Sequence, residues 1–391
     1  MREAWRWYGE FDPITLDEVR QTGATSIVTS LHAVPYGEIW PVDDIVSRKS
    51  EIESAGFSWD VVESLPVDER IKKADGNLSA IFANYRQSLR HLSEQGINII
   101  CYNFMPLLDW TRTDLKAPAA EGAHCLRFDI IQMAAFDVFI LQRQEAHLDY
   151  DEAVIAAGKA WYDSASQDNK DLLTRSVLAG MPGAFDKLDV DGLRQGLMGY
   201  EGIGHAELRA NYKRFLDEVM PTAIELGTQL CVHPDDPPRD IIGLPRIVST
   251  EEDIAWIMNA FDHQANGLTL CSGSLGAHPH NDVPQIASRF ADRIHFAHLR
   301  NVTKQSNGSF EEAQHLAGDT DMAAVIAVLL EEQERRRDEA RADHLITFRP
   351  DHGHHLASEA DRHYVPGYPL YGRLRGLAEL RGVIAGLTYQ G

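Results

Sequence analysis

The stretch "LITFRPDHGHH" (residues 345–355) sets an apolar run directly against an arginine, an aspartate and three histidines. Four consecutive apolar or β-branched residues are too few for a helix and read as a strand buried on both faces. A buried strand that ends in groups able to ionise or bind metal fits the carboxyl edge of a parallel barrel, where barrel enzymes carry their chemistry. Counting outward from "LITFRPDHG" (345–353), seven more strand-like runs precede it: "WRWYG" (5–9), "SIVTSL" (26–31), "SWDVVES" (58–64), "NIICYNF" (98–104), "QLCVHP" (229–234), "LTLCSG" (268–273) and "IHFAHL" (294–299). Helical patterns lie between most of them. "LDEVRQTG" stops at Gly23 and "VDDIVSRKSEIESAG" at Gly56, as helix C-caps would. "STEEDIAWIMNAF" opens with a capping box from Ser249 to Glu252, and "DMAAVIAVLLEEQERRRDEAR" gathers its basic residues at the end the helix dipole favours. Strand and helix alternating to eight predict an α/β fold, the (β/α)8 or TIM barrel.

One segment breaks the alternation. More than a hundred residues separate the fourth strand from the fifth, with helical patterns in "RFDIIQMAAFDVFILQR", "YDEAVIAAGKAWYDSA" and "AELRANYKRFLDEVMPTAIELG". The last can serve as an ordinary barrel helix, so residues 1–391 are expected to form one barrel domain with a helical insertion at about 110–205 capping its mouth. No internal repeat or low-complexity linker divides the chain.

Bulk properties narrow the function. A chain of 391 residues with 44% apolar content buries a large core. No stretch reaches the roughly 18 uninterrupted apolar residues of a membrane helix, and "MREAWRWYGEFDP" lacks the order of a signal peptide, so the expected location is the cytoplasm. Four cysteines in so long a chain make no disulfide framework; each is a buried filler or a ligand. With 37 basic against 59 acidic residues the formal charge is −22, a field that repels nucleic acid. A small anionic substrate would need local positive charge from arginines or a bound cation.

The strand ends supply such groups. They carry His32 after the second strand, Glu63 in the third, Asn103 in the fourth and His233 in the fifth; Cys271, then His298 with Arg300, then Arg349, Asp351 and His352 follow. Taken singly, His233 could end a strand before a proline turn, Cys271 could be core, His298 a hydrogen-bonded core histidine and Asp351 a turn former. Four consecutive strands each offering a ligand at the same end favour a metal. Two imidazoles, a thiolate and a carboxylate suit Mn²⁺, Fe²⁺ or Zn²⁺ better than Mg²⁺ or Ca²⁺, which prefer oxygen. Cys231, two residues before His233, lies one layer deeper and reads as core. Arg300 and Arg349 are candidate bidentate binders of a carboxylate, with structural ion pairs as the alternative. His32, Asn103 and Arg112 are candidate hydroxyl readers, and His315 and Asp319 candidates for the mouth.

The stretches "RWYG", "ATSIVTSLH", "GEIWPVDDI", "VVESLPV", "CYNFMPLLDWTRTDL", "HPDDPPRDIIGLPRIVST", "HLRN", "RPDHGH" and "PGYPLYGRLRGLAELRG" closely resemble the mannonate dehydratase family, from end to end of the chain. His278 and His280 of "GAHPHND" fall outside the family pattern and read as solvated loop residues. The resemblance implies a barrel of the xylose isomerase-like superfamily that converts D-mannonate to 2-keto-3-deoxy-D-gluconate in hexuronate catabolism with Mn²⁺ or Fe²⁺. It places the metal ligands on His233, Cys271, His298 and Asp351, and an acid/base pair on His352 and Tyr368. Which of the pair is the base stays open; the leaning is toward Tyr368, its phenol acidified by the cation. The competing readings are a metal-dependent sugar isomerase or epimerase on the same barrel, and a non-catalytic sugar-acid binder. No nucleic-acid or membrane partner is expected, and the surface leaves room for a homodimer.

Overall fold

In the computed structural model, which describes residues 1–180 and 189–389, twelve strands form two sheets. In chain order they are β1 (Arg2–Arg6), β2 (Ser26–Thr29), β3 (Ser58–Glu63), β4 (Ile99–Tyr102), β5 (Asp114–Pro118), β6 (His124–Phe128), β7 (Gln229–Val232), β8 (Asn266–Cys271), β9 (Ile294–Leu299), β10 (Asn301–Lys304), β11 (Phe310–Ala313) and β12 (Thr347–Pro350). Eight close into a parallel barrel, ordered β1, β12, β9, β8, β7, β4, β3, β2. All eight expected strands are present, most of them shorter than the apolar runs suggested.

Alternation along each strand divides the side chains between two environments. Outward residues such as Trp5, Ile27, Val62, Ile100, Leu268 and Phe348 pack beneath the surrounding helices in the main apolar cluster. Burying each contributes about 1.5–3 kcal/mol. Inward, Ala4, Val28, Val61, Cys101 and Phe296 make a separate apolar plug. Two residues further along those strands stand Arg6, Ser30, Glu63, Asn103 and His298, so one pleat repeat separates an apolar floor from a polar layer. Register sets that layer level: Cys271 pairs with His298, and His298 with Arg349.

Gly23 and Gly56 adopt φ of +79° and +86°, the left-handed geometry expected of the residues that end those helices. The capping box before the helix Glu251–Ala260 lies one residue later than the sequence suggests: Thr250 and Asp253 form it. Ser249 instead donates its hydroxyl to Asp235, at 2.9 Å.

The sequence did not reveal the second, antiparallel sheet, ordered β10, β11, β6, β5. The segment at about 110–205 therefore opens with the hairpin β5–β6 before its helices. Short strands such as "DLKAP" and "FEEA" carry too many charges to show as apolar runs, and β11 turns Glu312 into the interior beside Phe310. A second apolar cluster, containing Phe128, Phe136 and Phe310, underlies this region.

Candidate metal centre and active site

The carboxyl ends of the barrel strands open into a cavity of about 470 Å³. At its base one ligand atom each from His233, Cys271 and His298 lie within 4.8 Å of one another. His233 follows β7, Cys271 ends β8 and His298 is in β9, so three neighbouring strands deliver them. His233 Nδ1 sits 2.7 Å from the Pro234 carbonyl and donates to it, leaving Nε2 to face His298 Nδ1 at 3.1 Å. The Cys271 sulfur accepts from the Ser274 amide (3.5 Å) and hydroxyl (3.1 Å). Asp351, after β12, stands beside this group and outside it on the same arc of strand ends, its Oδ2 3.8 Å from the Cys271 sulfur and 3.9 Å from His298 Nδ1.

Ion pairs lock this arc. Arg300 donates from Nε to Asp351 (2.8 Å), from Nη1 to Glu312 (2.7 Å), and from Nη2 to Asp236 (2.7 Å) and Ser274 (2.9 Å). Arg349 clasps Glu63 with Nε (2.9 Å) and Nη2 (2.7 Å), and gives Nη1 to Asp351. Arg112 binds both oxygens of Asp236, at 2.7 and 3.0 Å, and Glu312 at 2.7 Å. Burial alone would raise the carboxyl pKa values, but the guanidiniums outweigh it. Glu63 and Asp351 are held well below the carboxylate range, chiefly by Arg349, and Asp236 is lowered by Arg112 and Arg300. Burial likewise opposes ionisation of Cys271, yet Arg300 and the two imidazoles bring the thiol well below its ordinary value. Burial draws His233 down while the adjacent Cys271 sulfur draws it up, the net value being about 9.

The acid/base candidates stand at the edge of this arc. His352 Nδ1 lies 2.9 Å from Glu312 Oε1 and donates to it, which leaves Nε2 as the ring's free position. The Tyr368 hydroxyl donates to Asp351 Oδ1 at 3.1 Å. The two rings meet edge-on with centroids 5.2 Å apart. In these surroundings the phenol is pushed well above its usual value, by burial and then by the charge of Asp351.

Among the other sequence candidates, His32 and Asn103 line the cavity, as do Arg300 and Arg349, whose donors are already engaged by carboxylates. His32 stacks on Tyr8 at 5.6 Å; desolvation, then the charges of Arg6 and Arg48, pull it down to about 3 and keep it neutral. Arg112 does not line the cavity and works from behind, through Asp236 and Glu312. His315 and Asp319 also lie off the cavity wall, His315 buried with Nε2 unpartnered and Asp319 accepting from the Lys304 amide at 2.8 Å. Sequence reasoning missed Arg6, although "RWYG" was in view, because β1 was placed to begin at Trp5 rather than end at Arg6. It missed Glu312 because a carboxylate in a charged stretch reads as solvated.

A family model described as D-mannonate dehydratase (UxuA) matches residues 1–390. The chain belongs to the D-mannonate dehydratase family. The mannonate dehydratase of Rhizobium meliloti (strain 1021) is 47% identical over all of this chain and 98% of its own. That of Chromohalobacter salexigens is 48% identical over 98% of each. The crystal structure of mannonate dehydratase from Streptococcus suis serotype 2 superposes with a TM-score of 0.75 at 33% identity, covering 99% of this chain and 95% of that one. As a mannonate dehydratase the chain is a hydro-lyase that removes water from D-mannonate, and the isomerase and binder readings are not favoured. Among the described residues no helix is long and apolar enough to cross a membrane.

Proposed function

We propose that D-mannonate is dehydrated at a divalent first-row transition ion, Mn²⁺ or Fe²⁺, held by His233, Cys271, His298 and Asp351, with His352 and Tyr368 moving the protons. Charge balance carries this reading. Four carboxylates (Glu63, Asp236, Glu312, Asp351) and the Cys271 thiolate face three paired guanidiniums (Arg112, Arg300, Arg349), a surplus of two negative charges that one divalent cation balances when it displaces the proton that otherwise raises His233 and takes both imidazoles as neutral ligands. Two imidazole nitrogens facing each other at 3.1 Å also repel unless a proton or cation lies between them. His298 Nε2 is buried without a hydrogen bond, 3.3 Å from Glu63 Oε2, and would donate to that carboxylate once Nδ1 serves as ligand. The thiolate disfavours Mg²⁺ and Ca²⁺. Bound there, the ion would act as a Lewis acid toward the carboxylate end of the substrate.

The chain's own groups handle the protons. C2–H of the substrate is feebly acidic, because its removal adds charge to an existing anion. Glu312 fixes the His352 tautomer so that Nε2 accepts this proton. Tyr368, already a donor in the structure, gives its proton to the C3 hydroxyl, which departs as water. The resulting enol gives its C2 hydroxyl proton to the Tyr368 phenolate and takes the His352 proton at C3, which yields the 2-keto-3-deoxy acid and restores both groups. The helices at about 110–205 are assigned to cover the mouth, with Trp110 and Gly180 reaching the cavity wall.

The test is to strip the protein with chelator, restore single metals and follow 2-keto acid formation. Mn²⁺ or Fe²⁺ restores turnover; full turnover without metal, or equal rescue by Mg²⁺, overturns the metal assignment. C2 proton exchange in D₂O separates the roles: Tyr368→Phe retains exchange without elimination, whereas His352→Asn loses both. Exchange lost in the first and kept in the second reverses them.

A further inference from the structure

We propose that Arg6 is the group that grips the carboxylate of the sugar acid, and so fixes the direction in which the substrate lies across the cavity; the inference rests on the site assigned above. Arg6 ends β1 and lines the cavity, yet among the described residues it makes no ion pair. Its one hydrogen bond is a long one, 3.5 Å from Nη1 to the Val28 carbonyl, and its guanidinium carbon sits over the Tyr8 ring, 4.4 Å from the centroid. Arg300 and Arg349, which share the cavity wall, have every side-chain nitrogen bound to carboxylates or Ser274. Glu63 and Asp12 feel the charge of Arg6 without reaching ion-pair distance, and both Glu63 oxygens already accept from Arg349. A 6% exposed guanidinium without a direct ion pair is costly, and the structure orients it without pairing it. An anion arriving from solution supplies the missing charge, and a planar fork suits a carboxylate.

Strand order supplies the direction. The metal ligands occupy β7, β8, β9 and the end of β12, with β1 flanking them on one side and β4 on the other. His352 and Tyr368, which act on C2 and C3, follow β12 and so belong to the β1 side; Tyr368 meets Tyr8 edge-on at 5.2 Å. With Arg6 on β1 holding the carboxylate carbon, C2 next to it comes to the β12 edge, within reach of His352 and Tyr368. With its carboxylate end shared between Arg6 and the ion, the substrate extends its polyol tail toward Asn103 and Asp109 beyond β4, both on the cavity wall and neither a cation. Burial draws the Asp109 carboxyl above its ordinary value, and a carboxyl accepts from hydroxyls where it would repel the substrate's carboxylate. In the reaction Arg6 faces the end of the substrate on which negative charge grows as C2–H is lost.

The experiment uses metal-loaded protein with Arg6→Gln and Arg6→Lys. It measures kcat and KM for D-mannonate, metal content, and inhibition by D-arabinonate and by its neutral counterpart D-arabinitol. For Arg6→Gln, KM rises and arabinonate weakens by on the order of ten- to a hundredfold, arabinitol is unchanged, metal content is unchanged, and Arg6→Lys falls between. Equal weakening of acid and alditol, or no weakening of either, overturns the proposal, as does loss of metal from Arg6→Gln, which would make Arg6 part of the metal centre's charge balance. Failure of the metal-centre assignment has a different signature, namely a Cys271→Ser protein that keeps its metal and its turnover.

Discussion

The two halves of the barrel mouth are built on opposite principles. From β7 round to β12 the polar side chains are bound to one another: Arg300 alone bridges Asp236, Glu312 and Asp351. From β1 round to β4, Glu63 in the grip of Arg349 apart, they are oriented but carry no ion pair, with Arg6 resting on Tyr8, His32 neutral at the rim and Asn103 beside Asp109 at the far wall. The first half holds an array of charges in fixed positions, as stabilising a developing anion requires. The second leaves its donors free for a ligand. A cavity paired throughout would have nothing with which to recognise a substrate, and one unpaired throughout could not keep so many ions buried.

The contrast can be broken hardest at Cys271. Cys271→Ser replaces a thiolate with a poor ligand; we expect loss of metal by elemental analysis and a fall in kcat on the order of a thousandfold or more, as for loss of a group that acts as part of a unit. Arg300→Met leaves three buried carboxylates short of a partner. Unfolding in denaturant should show a loss of about 3–5 kcal/mol, and unchanged stability would mean that the locked half is not locked. Glu312→Gln removes the charge behind His352 while keeping its shape; kcat should fall roughly ten- to a hundredfold with little change in KM, the range seen when a group that orients a functional histidine is lost.

Behind the locked half, burial brings the His315 imidazole down from 6.5 to about 4. Between those values the unfolded chain binds a proton that the folded chain refuses. This contribution is complete above pH 6.5 and disappears as the pH falls toward 4, and it amounts to roughly 1–3 kcal/mol. His315→Leu should flatten the stability profile over that window relative to the parent protein, as read from denaturant midpoints. The smallest effect belongs to the open half: Asn103→Ala should raise KM by about two- to tenfold through one lost neutral hydrogen bond, with kcat nearly unchanged.

The barrel was legible because its strands are buried on both faces and stand out as apolar runs, and because chemistry gathers at their carboxyl ends. Those ends named His233, Cys271 and His298, which the fold brings within 4.8 Å of one another. Charges that serve from behind a strand were not legible. Nothing in "DWTRTDL" shows that Arg112 reaches Asp236 and Glu312 rather than a ligand, since that depends on a contact between residues 200 positions apart in the chain. The sheet carrying Glu312 was hidden for the same reason: its strands are defined by pairing with distant partners, Phe310 with Phe128 for one, and not by their own composition.

The plug of Ala4, Val28, Val61, Cys101 and Phe296 makes the barrel a dry-bottomed vessel. Solvent can screen the ions of the polar layer from above but never from below, so a sugar acid that settles over them acts as a stopper. With that stopper in place, less water is left to blunt the field, and the ring of charges bears on the C2–H and C3–O bonds that the reaction breaks.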